Sequence, residues 1–492
     1  MSLQIFNSWS RRLERFESLA PGRVRMYSCG PTVYSRAHLG NLRAYVVADT
    51  LRRTLRWRGY DVDHVINVTD VGHLLADADQ GEDKVERAAG REGRSVWELT
   101  VGYQRLFEED LAKLDVLPPR RWTKASDHVG KMIDFARRLE ALGHTYRLPA
   151  GLYFDTASVA GYGVLATIDH ERLEADARIE AVPGKRHRSD FALWRTTPPG
   201  GPVRAMEWDS PWGPGAPGWH LGCSVMSMDQ LGPHFDVHTG GVDHREIHHP
   251  NEDAQSRAYL ADQEPWVRYW VHHEFVTFAG EKMAKSTGNV LILDDVVRRG
   301  LEPLAYRLLL LQSHYRSQVR VTLDDIAAAN TFLDRLVRAV GDRLDELSPA
   351  PPLRRHDDIG GRPGIDALDE ALTDDLATPR AVAWLHQGVH AASGADDLTE
   401  LLAAGRDLLG LDLRRLAEHR RTAAAARAGD DDRHRTIGTL VAERDRARRR
   451  RDYRRADALR DQLRTEFAVE LADGPERSTW RIVRTPDAGD AG

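Results

Sequence analysis

The sequence contains very little cysteine and no long apolar run. Cys29 and Cys223 are its only cysteines, so no disulfide framework is expected and each thiol needs its own explanation. No apolar stretch is long enough to cross a bilayer, and the first residues lack the basic and then apolar order of a secretory signal. These absences predict a cytoplasmic protein that has no membrane partner.

An excess of positive charge is also absent, but the charge is unevenly distributed. The 492 residues carry a formal net charge of −6, which would argue against a nucleic-acid binder if the charge were spread evenly. Arginine is instead concentrated between Arg444 and Arg464. The composition therefore leaves a local nucleic-acid contact open, and the length of the chain predicts three or more domains.

The first motif with chemical meaning is a strand that turns through glycine into a helix. Residues 23–29 are predicted to form a buried strand that ends at Gly30 and Pro31, and apolar residues then recur at helical spacing. The spacing matches neither the Gly-x-Gly-x-x-Gly motif of dinucleotide binders nor a Walker motif. A helix start offers N–H groups and a positive dipole end to a polyphosphate, with His38 and Asn41 beside it. A histidine that only caps the helix is an equally weighted alternative.

Two further strands are predicted to end in residues suited to a ligand. One ends at Thr69, which would neighbour Cys29 because parallel strands share a carboxyl edge. The other ends in Gly240 and Gly241, followed by Asp243. An aspartate there can accept hydrogen bonds from ribose hydroxyls, and glycine lets a flat base approach the backbone. A plain turn with a solvated aspartate is the alternative interpretation.

A metal site is one of two interpretations of the cysteines. His248 and Glu252 are four positions apart, and Pro250 between them favours the first turn of a helix. With Cys29 and Cys223 they would supply sulfur, nitrogen and oxygen ligands that suit tetrahedral zinc. The spacing carries no zinc signature, so the residues alone favour buried structural cysteines and surface histidines.

A second cationic motif lies between Phe278 and Asn289. It contains Lys282 and Lys285, with Ser286 beside them, in a segment bounded by glycines. Such a lysine pair can clamp developing phosphate charge. A solvated basic loop is the common alternative for two neighbouring lysines.

Taken together, the His-Leu-Gly-Asn turn and the Lys-Met-Ala-Lys-Ser loop resemble those of class I aminoacyl-tRNA synthetases, and more narrowly those of cysteinyl-tRNA synthetases. The resemblance extends from near residue 25 to near residue 482. The matching stretches are 27–34, 67–70, 210–213, 217–220 with Cys223 and Ser224, 248–252 with 254–256, and 479–481.

The resemblance implies a fold and a domain order. It implies an α/β protein with a Rossmann-like parallel-sheet catalytic domain, an inserted domain, α-helical domains and a small C-terminal anticodon-binding domain. Residues 422–432 are predicted to form a linker. The implied division is 1–119 for the first half of the catalytic domain, 120–214 for the inserted domain, 215–275 for the second half, 276–325 for a stem-contact region with the lysine loop, 326–420 for a helical bundle, and 421–492 for the anticodon-binding domain.

The resemblance also implies the ligands and their sites. One zinc ion per chain would be bound by four residues, which reverses the interpretation favoured by spacing: Cys29, Cys223, His248 and Glu252. The substrate-binding residues would be Gly30, Thr69, Trp219, Gly240, Gly241 and Asp243. Zinc stabilises a thiolate much better than an alkoxide, so serine would be rejected without an editing site.

A two-step reaction is implied in turn. The carboxylate of L-cysteine would attack the α-phosphorus of ATP, accompanied by Mg²⁺, and the terminal adenosine of tRNA(Cys) would then take the activated cysteine. Five residues would stabilise charge on the phosphates: His38, Asn41, Lys282, Lys285 and Ser286. The C-terminal arginines would hold the anticodon end, with Trp480 able to stack on a base. The enzyme is expected to act as a monomer.

Four positions depart from the usual pattern of the family without removing an implied ligand or lysine. They are Ala284, Gly222, Pro250 and the run 71–74.

Two other functions remain open. A ligase that joins activated cysteine to a small-molecule amine would have no use for the arginine-rich segment, and an inactive paralogue would not need His38 or the lysine pair.

Overall fold

The computed structural model describes residues 2–72, 83–166, 182–198, 200, 204–262, 264–278, 281–282, 290–349, 351–352, 362–474 and 477–482. The strands are β1 Gln4–Asn7, β2 Arg12–Arg15, β3 Arg23–Ser28, β4 Asp61–Val68, β5 Arg121–Lys124, β6 Thr145–Leu148, β7 Gly151–Phe154, β8 Phe191–Thr196, β9 Gly215–Pro217, β10 Phe235–Gly241, β11 Val267–His273, β12 Val276–Phe278, β13 Glu281–Lys282, β14 Val319–Arg320, β15 Val469–Ala472 and β16 Thr479–Ile482. The helices are α1 Leu39–Trp57, α2 Lys84–Glu92, α3 Val96–Lys113, α4 Val129–Ala141, α5 Trp219–Leu231, α6 His249–Leu260, α7 Leu293–Arg298, α8 Pro303–Leu311, α9 Leu323–Gly341, α10 Pro363–Thr373, α11 Thr378–Ala391, α12 Ala395–Leu409, α13 Leu413–Arg449 and α14 Tyr453–Phe467.

A five-stranded parallel sheet forms the centre of the fold. Its strand order is β11-β10-β3-β4-β5, and every neighbouring pair is parallel. Helix α1 connects β3 to β4 on one side, whereas β10 joins β3 from the other side. This reversal of strand order opens a crevice at the carboxyl ends of β3 and β10. The predicted Rossmann-like α/β fold is confirmed.

Burial explains why these segments form the sheet. Seven of the eight residues of β4 and every residue of β10 are buried. Parallel strands that are covered by helices on both faces need apolar side chains on both faces, which gives near-continuous apolar runs. In this sheet the apolar residues are interrupted by buried polar ones, which are Asp63, His64 and Asn67 in β4 and Asp236, His238 and Thr239 in β10.

Three smaller sheets accompany the central one in the first part of the chain. An antiparallel sheet of order β6-β7-β8-β9 has its first three strands within the segment predicted to be inserted, and β9 begins just after the predicted end of that segment. Strands β13, β12 and β14 form a second sheet, and β1 and β2 form a hairpin. Strand β13 of the second sheet ends at Lys282, the first lysine of the predicted cationic motif.

The chain divides into two compact units, residues 1–413 and 414–492. The second unit has its own core of Ile437, Val441, Leu463 and Val469, which packs with the hairpin β15-β16. The six-part division remains a prediction. The predicted linker at 422–432 is wrong, because α13 runs through it without interruption. Its five alanines and one arginine have high helix propensity, which outweighs the single glycine.

No helix in the described parts of the chain combines the length and the apolar character that crossing a membrane requires.

Candidate active site

A cavity of about 700 Å³ lies at the carboxyl ends of β3, β4, β10 and β11. Most of the predicted site residues line it: Cys29, Gly30, His38, Asn41, Thr69, Trp219, Cys223, Gly240, Gly241, Asp243 and His248. Glu252 is fully buried behind them. Only the backbone of Lys282 is described, and Lys285 and Ser286 lie outside the described residues.

Two cysteines, a histidine and a glutamate form a compact buried cluster, and three of the four line this cavity. One donor atom from each of Cys29, Cys223, His248 and Glu252 lies within 4.8 Å of all the others. Cys29 follows β3, Cys223 lies near the start of α5, and Glu252 lies in the first turn of α6. His248 ends the π-helical turn His244–His248, a distortion that is frequent at functional sites.

Glu252 is the charged centre of the cluster. Its Oε1 lies 2.6 Å from His248 Nε2, and its Oε2 lies 2.9 Å from His238 Nε2. Burial raises the pKa of Glu252, but the two imidazoles outweigh burial and hold this pKa below its usual value. Burial likewise lowers the pKa of His248, yet the carboxylate raises it to about 10. Each group therefore compensates the buried charge of the other.

The two thiols differ in acidity. Both are free and buried. Burial raises the pKa of Cys29, whereas the hydrogen bond from Cys29 lowers the pKa of Cys223 to about 6. Because the thiolate is the form that binds metals, Cys223 offers its sulfur in the ligating state near neutral pH.

A second, overlapping donor group was missed from the sequence. Donor atoms of Cys29, His238, His249 and Glu252 also lie within 4.8 Å of one another. Cys29 Sγ lies 3.4 Å from His249 Nε2. The available signal was the density of histidine, since seven of the 21 histidines fall between positions 234 and 273.

Both donor groups fit a zinc ion. They combine sulfur, nitrogen and oxygen donors that converge on one buried point, as in tetrahedral zinc sites. Buried charges of this kind are normally paired or bound to a metal. Cys29 and Glu252 belong to both groups, so either arrangement would use them.

The start of α1 lies at the cavity and carries a reciprocal cap. His38 Nδ1 accepts a hydrogen bond from the Asn41 N–H at 3.2 Å, and Asn41 Oδ1 accepts one from the His38 N–H at 3.2 Å. A ring nitrogen that accepts carries no proton, so the neutral ring of His38 carries its proton on Nε2. Capping and phosphate contact are therefore compatible, because capping uses only Nδ1.

Both ends of the segment that contains the lysine motif are attached to α1. Before it, the Arg43 guanidinium donates to the Phe275 carbonyl at 2.7 Å. After it, the Leu39 N–H donates to the Leu291 carbonyl at 2.8 Å. The segment from Phe275 to Leu291, which includes Lys282, thus begins and ends beside the first turns of α1.

The two glycines that end β10 leave room for the protein's own side chains. A side chain at Gly240 would collide with His249 and His244, and one at Gly241 would collide with the Asp243 carboxylate. Asp243 itself is exposed at the cavity. The glycines are therefore explained by this packing whether or not a base also lies against them.

Asn67 organises the end of the cavity that contains Thr69. Asn67 Oδ1 accepts a hydrogen bond from the Gly30 N–H at 2.7 Å, and its Nδ2 donates to Thr69 Oγ1 at 2.9 Å. A side chain at Gly30 would collide with the Asn67 carbonyl oxygen. The ring of Trp219 packs 4.3 Å from that of His248. Asn67 lies in the stretch 67–70 that resembles the family, but no role was predicted for its side chain.

In the second unit, only some of the clustered arginines are unpaired. Arg444 is buried and pairs with Asp473, and others pair with neighbouring acids. Trp480 is half-buried and its ring packs 5.3 Å from that of His434, whereas Tyr453 is 63% exposed. Four exposed arginines near Tyr453 form no ion pair with a described residue: Arg446, Arg450, Arg451 and Arg454.

Comparison with known proteins identifies the family. The family described as tRNA synthetases class I (C) catalytic domain matches residues 15–331. The cysteine–tRNA ligase of Novosphingobium aromaticivorans is 45% identical and covers 98% of this chain and 97% of its own length. The cysteine–tRNA ligase of Zymomonas mobilis is 42% identical and covers 97% of each.

Solved structures share the fold at low identity. A Mycobacterium tuberculosis methionyl-tRNA synthetase with methionyl-adenylate has a TM-score of 0.52 at 16% identity, over 80% of this chain and 90% of its own. An Agrobacterium radiobacter LeuRS in a ternary complex has a TM-score of 0.56 at 14% identity, over 82% and 86%. The chain belongs to the cysteine–tRNA ligase family of class I tRNA synthetases.

Proposed function

We propose that this protein activates L-cysteine with ATP and transfers it to the 3′-terminal adenosine of tRNA(Cys). The observation that carries the proposal is one cavity whose lining includes members of a buried Cys/Cys/His/Glu cluster and the start of α1. The first is suited to recognising a thiol, and the second is suited to binding phosphates. The names of the relatives support the same reaction.

The cluster would select the amino acid. Cys29, Cys223, His248 and Glu252 would hold one zinc ion, which supplies a Lewis acid that favours a thiolate over a serine hydroxyl. Thr69, oriented by Asn67, would contact the rest of the amino acid. Trp219, packed on His248, would exclude water from this end.

The start of α1 would act on ATP. Its N–H groups and positive dipole end favour phosphate binding, and His38 Nε2 and the Asn41 side chain lie at the same place. Lys282, Lys285 and Ser286 would join them as negative charge develops on pyrophosphate, with Mg²⁺ bound to ATP. These groups orient and stabilise the phosphates, while the cysteine carboxylate attacks the α-phosphorus.

The second step would use the tRNA. A ribose hydroxyl of its terminal adenosine attacks the carbonyl of cysteinyl-adenylate and releases AMP. The exposed arginines around Tyr453 would contact the anticodon end of the tRNA.

The proposal also includes the six predicted domains, a monomeric state and a cytoplasmic location.

The direct test is transfer of labelled L-cysteine to tRNA(Cys) in the presence of ATP and Mg²⁺. We expect acid-stable labelled tRNA with cysteine and none with serine. Cysteine-dependent exchange of pyrophosphate into ATP, measured in parallel, reports activation alone. Exchange without charging would contradict tRNA as the acceptor and favour a small-molecule amine.

The arginine surface gives a separate prediction. Replacing Arg446, Arg450, Arg451 and Arg454 with glutamine should raise KM for tRNA and leave pyrophosphate exchange unchanged. The slope of log affinity against log salt should become shallower by about 0.7 to 0.9 for each phosphate that is no longer neutralised. Nitrocellulose-filter binding across a salt series would measure this slope.

A matched control uses arginines of the same unit that already form ion pairs. Glutamine at Arg455, Arg460 and Arg464 should leave the salt slope nearly unchanged, because Glu443, Asp457 and Asp461 pair with them. Equal effects of the two sets would mean that general charge, rather than this surface, attracts tRNA.

A further inference from the structure

Four charged side chains form an ion network next to the start of α1. The Arg36 guanidinium donates hydrogen bonds to Asp110 at 3.0 Å and to both oxygens of the Asp294 carboxylate, one of them at 2.8 Å. Lys113 Nζ lies 3.7 Å from Asp110 Oδ1 and 3.6 Å from Asp294 Oδ1. Two positive and two negative groups thus balance each other, and none of the four residues lines the cavity.

The network joins three segments that are far apart in the sequence. Arg36 lies two residues before His38, in the turn that leads into α1, whereas Asp294 lies in the first turn of α7. Asp110 and Lys113 belong to the last turn of α3. Because α7 follows the segment that contains the lysine motif, the network connects the histidine turn to the chain directly after that motif.

A backbone contact runs alongside the Arg36–Asp294 contact. The Leu39 N–H donates to the Leu291 carbonyl at 2.8 Å. Each partner of this bond lies three residues from a partner of the ion pair, Leu39 from Arg36 and Leu291 from Asp294. Two separate contacts therefore fix the distance between these segments and also their relative orientation.

Burial makes this network firmer than an ordinary surface ion pair. The Asp110 carboxylate is fully buried, and the side chains of Arg36 and Asp294 are 21% and 34% exposed. Burial raises the pKa of Asp110 although Arg36 and Lys113 oppose it, whereas for Asp294 the same two cations outweigh burial and lower the pKa. Isolated surface pairs stabilise little, but networks around an arginine fork are the exception. Arg36 is thus anchored on Asp110 and from there holds Asp294.

The two segments that Arg36 connects are those proposed to act on the same phosphates. His38 and Asn41 would contact them from the start of α1, and Lys282, Lys285 and Ser286 from the lysine motif. These groups can act together only if the two segments keep a fixed separation. An error of about 1 Å in such a position can cost about 100-fold in rate, even when it arises far from the reacting atoms.

We infer that Arg36 is a positioning residue for the activation step, because by holding Asp294 it sets where the lysine motif lies relative to His38. The inference rests on the proposed function, since His38 and the lysine motif act on one substrate only in that reaction. Arg36 does not line the cavity, so it acts through the segments that it joins. Its effect should appear in kcat and not in KM for cysteine, because the thiol-binding cluster is not part of the network.

The first test removes either partner of the Arg36–Asp294 contact and measures cysteine-dependent pyrophosphate exchange. Arg36→Gln and Asp294→Asn should each lower kcat by about 10- to 100-fold and leave KM for cysteine native. Asp294→Asn keeps the pair between Arg36 and the buried Asp110, so it breaks the contact without leaving a buried charge unpaired. The double variant should be no slower than the slower single variant. Arg36→Lys should restore only part of the rate, because an ammonium cannot reproduce the arginine fork.

A second test shows whether the lysine motif carries the effect. In a Lys285→Ala background, Arg36→Gln should lower kcat by no more than about twofold, because the group that it positions is already absent. The loss of Tm caused by Arg36→Gln should be equal in both backgrounds. Independent, multiplying effects of the two changes on kcat would overturn the inference.

A matched control lies at the other end of α1. The Arg58 side chain is also 21% exposed, and it pairs with the buried Asp369 at 3.2 Å. Arg58→Gln should lower Tm about as much as Arg36→Gln and keep a native kcat. An equal fall in kcat would mean that any loosening of α1 slows activation, and it would overturn a specific role for Arg36.

Hydrogen–deuterium exchange of the substrate-free protein gives a readout that does not depend on catalysis. Arg36→Gln should speed deuterium uptake at the Leu39 amide and in the first turn of α7, and leave uptake in α5 native. Unchanged uptake at these places, or a native kcat in Arg36→Gln and Asp294→Asn, would overturn the inference while the proposed function stands. A native protein without cysteine-dependent pyrophosphate exchange would instead contradict the proposed function.

Discussion

Serine at position 223 is expected to remove most of the bound zinc. Cys223→Ser changes one atom, so the packing around α5 is preserved, but a neutral hydroxyl replaces a sulfur whose pKa is lowered to about 6. Changes outside the direct ligands of zinc already cost about 10- to 100-fold in affinity, and loss of a ligand should cost at least that much. Elemental analysis after dialysis should show zinc falling from one ion per chain to a small fraction.

The same variant should lose activity in step with zinc. Cysteine-dependent pyrophosphate exchange should fall at least about 100-fold, and the preference for cysteine over serine should shrink. Ser227→Ala is a matched control, because Ser227 is buried on the same helix and bonds only within it. It should keep its zinc and its exchange rate.

The overlapping donor group makes the experiment decisive. Cys223→Ser leaves Cys29, His238, His249 and Glu252 intact. Full zinc in Cys223→Ser, together with its loss in His249→Asn, would assign the metal to the second group and contradict the proposed ligand set. Loss in Cys223→Ser with retention in His249→Asn supports the proposed set.

Local patterns in the sequence predicted three of the five strands of the central sheet, β3, β4 and β10, whereas β5 fell in the segment predicted to be inserted and β11 was not predicted. Each prediction used neighbouring residues: the alternation of β4, the two glycines that end β10, and Gly30 directly after Cys29. Parallel strands then place their carboxyl ends together, so a shared cavity followed from strand type alone. The strand order did not follow, because no local pattern indicates that β10 lies beside β3.

That missing step explains why the zinc cluster was not predictable from spacing. Cys29 and Cys223 are brought together only when β10 pairs with β3 and the helix before it packs on the sheet. The family resemblance, and not the spacing, indicated that Cys29, Cys223, His248 and Glu252 act together as zinc ligands. It did not supply the second donor group, because His238 and His249 come within reach of Glu252 only in the folded protein.

Two other differences have local causes. The segment 422–432 was predicted to be a linker from one glycine and three aspartates, yet the alanines before them favour a helix that continues to Arg449. No prediction was made for His273 from the sequence. Its unsatisfied Nε2 depends on the orientation of the ring towards the Glu274 carbonyl, which no sequence pattern indicates.

Asparagine at position 38 is expected to slow activation while leaving the fold intact. Asparagine is among the best N-cap residues, so His38→Asn keeps an acceptor for the Asn41 N–H. It removes the Nε2 donor that the proposal assigns to the phosphates. Losing one donor that stabilises transition-state charge costs about 10²- to 10³-fold in kcat, so pyrophosphate exchange should fall by that factor.

Two further variants separate catalysis from capping. His38→Ala loses the donor and the cap, so it should show the same fall in kcat and an additional destabilisation of about 1 kcal/mol. Thr322→Ala removes the comparable reciprocal cap of α9, which is not part of the cavity, and should destabilise by a similar amount with a native kcat. Zinc content and KM for cysteine should be native in all three variants, because the thiol-binding end is untouched. A native kcat in His38→Asn would mean that His38 serves only as a helix cap, and the phosphates would then depend on the backbone of α1 and the lysine segment.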